Sequence, residues 1–199
     1  KVWLKLLAPF APFLCEELWS QAGEEGFIST ANWPVFDEKK IDVSAEEQEN
    51  LLTDVITDTT NIIKATKITP KRIIFYTASP WKWQVYLKIL EKTTQGEAKI
   101  NDIMKEFATN KDLKPQMKEI ASMTPKIIKM LTKVSGKRKA NMQHIKAVDE
   151  TAILGSATGF LGQRFKAEVS VYLEEDQQRF DPKKRAAMSL PYQPAIYIE

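Results

Sequence analysis

Lys126, Lys129, Lys133 and Lys137 are spaced three, four and four residues apart, and Lys137 runs on into Arg138 and Lys139. On a helix starting at Thr124 this spacing gathers the four lysines on one face, opposite Ile127, Ile128 and Leu131. A row of ammonium groups on a rigid rod can neutralise the phosphates of a polyanion. Such binding is strong, steeply salt-dependent and nearly blind to base identity. Gly136 predicts the end of that helix, which leaves the triplet 137–139 at its C-terminus. Cations are mildly favoured there in any case. Three consecutive charges still repel one another, and an external anion relieves that repulsion. A solvated lysine-rich surface is the plainer reading of the same pattern.

Catalytic chemistry finds little material. His144 is the only histidine and Cys15 the only cysteine, far apart in sequence, and His144 sits in a polar, lysine-rich segment. A lone cysteine gives no disulfide frame and no zinc site, and fits a reducing compartment. Glu16 with Glu17, and Glu174 with Glu175 and Asp176, are sequence neighbours. Neighbours on a helix or strand point different ways, so both groups are expected to be solvated charge rather than an acid/base pair. The stretch GSATGFLG at 155–162 lacks the lysine of a phosphate loop and the spacing of a dinucleotide fingerprint; close packing or a loop explains its small residues. Trp81 and Trp83, two apart, cannot share one core face. Either one stacks on a base or both pack under a loop. No catalytic residue and no metal site is assigned.

Composition frames these residues. The chain has 199 residues, 43% hydrophobic and 28% charged, and no run of eighteen apolar residues. Its net charge of +3 is unevenly spread: −7 over 1–66, +12 over 67–147 and −2 over 148–199. A basic block beside an acidic one points to a polyanionic partner. The chain begins inside an apolar periodic segment, as a piece cut from a longer protein would.

The positioning elements follow from punctuation and period. Pro9 breaks a first helix, and Pro12 opens a second with Phe13, Leu14, Leu18 and Ala22 on its stripe and Gly23 at its end. After a loop through Trp33, Pro34 and Asp37, Ser44 is expected to cap a long helix with Glu47 in a capping box. Leu51, Leu52, Val55, Ile56, Thr59, Ile62 and Ile63 keep helical spacing for five turns, so this helix is expected to bury one face. Two helices and a loop cannot bury both their faces, so preceding chain is expected to complete a bundle. The pattern then changes. Ile73–Tyr76 reads as a buried strand, and Ser79 with Pro80 starts a helix. Further helices are expected around 100–107, around 113–120, from Thr124 and from Asp149 or Glu150 through Phe165. Val169, Val171 and Leu173 alternate as a strand, as do Ile196 and Ile198 at the end. The expected fold is mixed α and β: a helical-bundle segment over 1–68, then a small α/β domain over 69–199 with a roughly three-stranded sheet.

The stretch LAPFAPFLCEELW, followed by a glycine-bearing loop and NWPVFD, resembles the anticodon-binding helical bundle of class I aminoacyl-tRNA synthetases for leucine, isoleucine, valine and methionine. Phe13 stands where that group often has histidine. The stretches KRIIFYTASPWKWQVY, VSVYLEEDQQRFDPKKRAA and PAIYIE look like the C-terminal extension of archaeal-type leucyl-tRNA synthetases. The resemblance covers nearly the whole chain, most diffusely over 95–165. It implies a cytoplasmic, ATP- and magnesium-dependent ligase that joins leucine to its tRNA. The His-Ile-Gly-His and Lys-Met-Ser-Lys-Ser catalytic motifs of such enzymes are absent here. This segment would therefore contribute tRNA binding, with leucine tRNA and the rest of the synthetase chain as partners and neither membrane nor DNA. In that family the C-terminal domain reaches the long variable arm of the tRNA. The matching positions are the tail residues Pro194, Ile196, Tyr197, Ile198 and Glu199. Two alternatives stay open: a domain that docks a synthetase into a larger assembly, and the same region of an isoleucyl or valyl enzyme.

Overall fold

The structure is a computed structural model that describes residues 1–35, 37–96, 100–110 and 112–199, with Glu38 described by its backbone. Phe36 of the NWPVFD stretch lies outside the described residues. Two compact units divide at residue 42, Lys1–Asp42 and Val43–Glu199.

The first unit holds α1 (Val2–Leu7) and α2 (Pro12–Gln21), then short 3-10 turns at Ile28–Thr30 and Glu38–Lys40. The prolines act as their chemistry dictates. Pro9 follows the end of α1, and Pro12 occupies the first position of α2, where an amide would have no helical partner. Gly23 adopts φ 74° just past the helix. Its amide donates to the Ser20 carbonyl at 3.0 Å, and the Glu24 amide donates to Trp19 at 3.3 Å, which satisfies two orphan carbonyls. Cys15, Trp19 and Ile28 form a small core. Glu16 is not free solvated charge. Its two carboxylate oxygens accept the amides of Ile28 at 2.9 Å and Ser29 at 3.2 Å, pinning the loop to the helix. Desolvation pushes its carboxyl up, but the Ile28 amide and the side chain and amide of Ser29 together outweigh it and hold the group below its ordinary value. Trp3, Phe10 and Phe13 stay exposed, Phe13 at 90%.

The second unit opens with α3 (Val43–Thr66), whose buried residues Glu47, Leu51, Val55 and Thr59 recur every four. The helix begins one residue before Ser44, so Ser44 stands inside its first turn rather than at its cap. One Glu47 oxygen accepts Asn50 Nδ2 and the other pairs with an arginine 91 residues away. Strand β1 (Arg72–Thr77) pairs in parallel with β2 (Glu168–Leu173) and antiparallel with β3 (Ala195–Ile198), giving the order β2-β1-β3. Ile73 and Phe75 face Leu51, Val55, Leu154 and Leu161 on one side of the sheet. Ile74 and Tyr76 face Ala186, Tyr172 and Tyr197 on the other. The three-stranded sheet and the helical start agree with the expected mixed fold.

Between β1 and β2 the helices are α4 (Pro80–Thr94), α5 (Ile100–Thr109), α6 (Met117–Thr132), α7 (Gly136–Ile145), α8 (Glu150–Ser156) and α9 (Thr158–Phe165). The expected start at Thr124 is corrected: Pro125 lies inside α6. Proline removes the bond to the Ala121 carbonyl, but Ala121 and Pro125 are both exposed, so water can serve that oxygen. Burial of Ile120, Met123, Ile127 and Leu131 along one face carries the helix through. The expected single helix up to Phe165 is two, breaking at Ala157. Gly162 fits a close approach there, since a Cβ would lie 3.2 Å from the Ala167 carbonyl.

One buried ion pair ties this unit together. Lys82, 2% exposed, donates to Glu174 at 2.7 Å and to the carbonyls of Ala187 and Ser189 at 2.9 Å each. Glu174, expected to be solvated, is thus a half-buried partner of the buried Lys82. Trp83 is buried among Tyr86 and Tyr192, and Trp81 is half-buried against the same core, so the two tryptophans pack.

Candidate nucleic-acid interface

The basic stretch does not form one face of one helix. Lys126 and Lys129 stand on α6, and Lys133 caps its C-terminus. Ser135 then caps α7, its hydroxyl accepting the Arg138 amide at 3.3 Å. Gly136 is therefore the first residue of a new helix, not the end of the old one. Lys137, Arg138 and Lys139 sit in the first turn of α7, at the positive end of its dipole, the reverse of the expected placement. Cations there gain nothing from the helix and sharpen the attraction for an anion.

Arg138 is engaged within the protein. Its Nε donates to Glu47 at 3.0 Å and its Nη2 to Asp54 at 3.3 Å, joining α7 to α3. Burial works against the guanidinium's charge, but the bonds to Glu47 and Asp54 hold its pKa above the ordinary value. Lys126, Lys129, Lys133 and Lys137 are exposed and Lys139 is half-buried; none has an acidic group at ion-pair distance among the described residues. These five ammonium groups are available to an external anion.

The tail is the edge strand β3 and what flanks it. Pro194 is buried, and Ile196 and Ile198 pack toward the core with Leu51 and Phe75. Tyr197 lies on the opposite face, its ring 6.3 Å from that of Phe180 and under Lys183 Nζ at 5.8 Å. The Glu199 carbonyl accepts the amides of Lys71 at 2.6 Å and Arg72 at 3.1 Å, which clamps the last residue to the sheet.

An open groove of about 430 Å³ brings part of each expected set together. Lys126, Pro194 and Ile196 line it, joined by Asn61, Arg185 and Gln193. Met188, 60% exposed, adds an apolar surface. Asp58 lies at the same groove; desolvation and the nearby Asp54 both raise its pKa. Lys129, Lys133, Lys137, Arg138 and Lys139 lie outside the groove lining, as do Tyr197, Ile198 and Glu199. Asn61, Arg185 and Gln193 carry no motif of their own; the run Lys183-Lys184-Arg185 is the one signal in the sequence. Two cations, two amides and an apolar floor can hold a phosphate beside an unstacked base. The described residues contain no group of three or more His, Cys, Asp or Glu arranged to hold a metal ion. No helix among them is long and apolar enough to cross a membrane.

The first 74 residues match the family described as the anticodon-binding domain of tRNA ligase. The whole chain is similar to archaeal leucine--tRNA ligases. It is 36% identical to that of Methanothrix thermoacetophila over 198 residues, 35% to that of Pyrococcus abyssi over 199 and 35% to that of Methanocaldococcus jannaschii over 199. Each match covers 100% of this chain and 18–20% of the relative. Over its whole length the chain is similar to archaeal leucine--tRNA ligases, and it spans about a fifth of the length of the relatives it matches.

Proposed function

We propose that this chain is the C-terminal tRNA-binding region of a leucyl-tRNA synthetase, and that it grips the long variable arm of leucine tRNA. The observation that carries the reading is the groove in which Lys126 and Arg185 flank Asn61, Gln193 and the tail residues Pro194 and Ile196. The exposed lysines 129, 133 and 137 and the half-buried Lys139 extend the positive surface along α6 and α7. Residues 1–68 would be the end of the anticodon-binding bundle, whose exposed Trp3, Phe10 and Phe13 other bundle helices would cover. Residues 69–199 would be the tRNA-contacting domain, with Asn61 of α3 completing its groove. Leucine activation, ATP and its magnesium would fall to the parts of the enzyme that this chain does not span. The chain alone should form no leucyl-tRNA.

The test is a filter-binding salt titration of the intact protein with leucine tRNA, with and without a full variable arm. A steep fall of affinity with salt is expected, and weaker binding when the arm is shortened. Replacing Lys126, Lys129, Lys133 and Lys137 with glutamate should flatten the slope by about 0.7–0.9 for each phosphate that is no longer neutralised. An unchanged slope would reject the basic surface as the tRNA-binding face.

A further inference from the structure

The loop between β2 and β3 presents an aromatic ring that is only partly covered. Phe180 is 44% exposed. One face lies under the Arg72 guanidinium at 5.5 Å and the ring meets Tyr197 edge-on at 66°, which leaves the remainder open to solvent. The loop around it is held firmly. The buried Tyr76 hydroxyl, its pKa pushed up to about 12 chiefly by burial, donates to the Phe180 carbonyl at 2.6 Å. The Asp181 carboxylate accepts the amides of Arg185 at 2.7 Å and Ala186 at 2.9 Å, and Lys82 pins the carbonyls of Ala187 and Ser189. An exposed aromatic on a mobile loop would lose entropy on stacking; this one is already placed.

The loop that carries the ring adds more positive than negative charge. Residues 177–185 carry Arg179, Lys183, Lys184 and Arg185 against Asp181, whose side chain is only 8% exposed and is consumed by its own loop. Arg72 shares its charge with Glu168 at 3.5 Å and Glu199 at 3.9 Å. Lys183 and Lys184 are exposed and have no acidic partner among the described residues. Open aromatic surface flanked by unpaired ammonium groups is the arrangement that binds single-stranded nucleic acid by stacking and phosphate neutralisation.

We propose that Phe180 is a stacking platform for one unstacked base of the bound tRNA, with Lys183 and Lys184 on the adjoining phosphates. The proposal rests on the reading of the chain as a tRNA-contacting region, and it adds a surface on the opposite side of the sheet from Ile196 and Ile198. The experiment compares the intact protein with Phe180→Ala, Phe180→Tyr and the double variant Lys183→Gln, Lys184→Gln, using leucine tRNA in a salt titration. Phe180→Ala should weaken binding about 5- to 100-fold at an unchanged salt slope, because stacking releases no counterions. Phe180→Tyr should bind within about twofold of native, since every base has a face to offer a phenol ring. The double lysine variant should lower the slope by up to about 2. 2-Aminopurine placed at single-stranded positions of the tRNA should be quenched at one position by the native protein and by Phe180→Tyr, but not by Phe180→Ala. A native protein that does not bind the tRNA sinks the tRNA reading and the platform together. Native binding with Phe180→Ala within twofold of it, or with Ala and Tyr equally weakened, sinks the platform alone. Unchanged tRNA binding with lost binding to polyglutamate would assign the patch to an acidic protein and overturn the proposal.

Discussion

The segment 9–23 and the segment 125–136 use the same punctuation with opposite meanings. In the first, Pro12 opens a helix and Gly23 closes it. In the second, Pro125 sits inside a helix and Gly136 begins one. The difference is what surrounds the residue. Pro12 follows a residue with non-helical backbone, and Gly23 takes a left-handed φ that any other residue adopts at a cost. Pro125 is carried by the burial of Ile120, Met123, Ile127 and Leu131 on both sides of it. Gly136 has ordinary φ and follows Ser135, a stronger start signal than glycine is a stop signal. Local chemistry decides an element's end where packing is thin, and packing overrides it where an apolar stripe runs on.

The charged residues divide the same way. Glu16 braces its own neighbourhood, twelve residues on, whereas Arg138 reaches back to Glu47 and Asp54. The largest effect expected follows from that long-range pair. Arg138→Ala strands Glu47, which is 1% exposed, and should cost about 2–3 kcal/mol in a denaturant titration, below the full buried-pair figure because Arg138 is partly solvated. Lys137→Ala, next door, should change stability by less than about 0.5 kcal/mol. Equal effects at the two positions would show that the triplet is one solvated patch after all.

The same logic explains what was legible beforehand. The apolar run 73–76 and the alternation at 169–173 and 196–198 marked the three strands, because half-buried and buried strands write their period into few residues. Helix α7 was invisible: GKRKANMQHI buries Met142 alone, so no stripe exists to be read. Glu174 reads as solvated charge in the sequence because its partner Lys82 lies 92 residues away. Of the candidate site, the lysines were legible as charge, but not their division between two helices or the internal use of Arg138. The groove was not legible, since Asn61, Arg185 and Gln193 come from three separate segments that only the tertiary fold brings together.

The prolines sharpen the comparison at an intermediate scale. Pro125→Ala restores an amide to the Ala121 carbonyl and relieves the ring's clash with the preceding turn. It should stabilise the protein by about 2 kcal/mol, most of the helix-interior penalty less the entropy that proline withholds from the unfolded chain. Pro12→Ala removes that entropic advantage with no helical bond to regain, and should destabilise by about 0.5 kcal/mol. Opposite signs in the two denaturation midpoints are required. A shared sign would mean that Pro125 marks a real break.

The glycines give the smallest and cleanest contrast. Neither Gly23 nor Gly136 has any atom within 4 Å of where a Cβ would stand, so sterics with neighbours cancel from the comparison. What remains is backbone conformation alone. At Gly23, φ 74° places alanine in the left-handed region, and Gly23→Ala should destabilise by about 1 kcal/mol. At Gly136 the backbone is already helical, and alanine both restricts the unfolded chain and favours the first turn. Gly136→Ala should therefore stabilise by about 0.5–1 kcal/mol. If α7 instead began later, Gly136 would be a terminator like Gly23, and the two substitutions would shift the unfolding midpoint in the same direction.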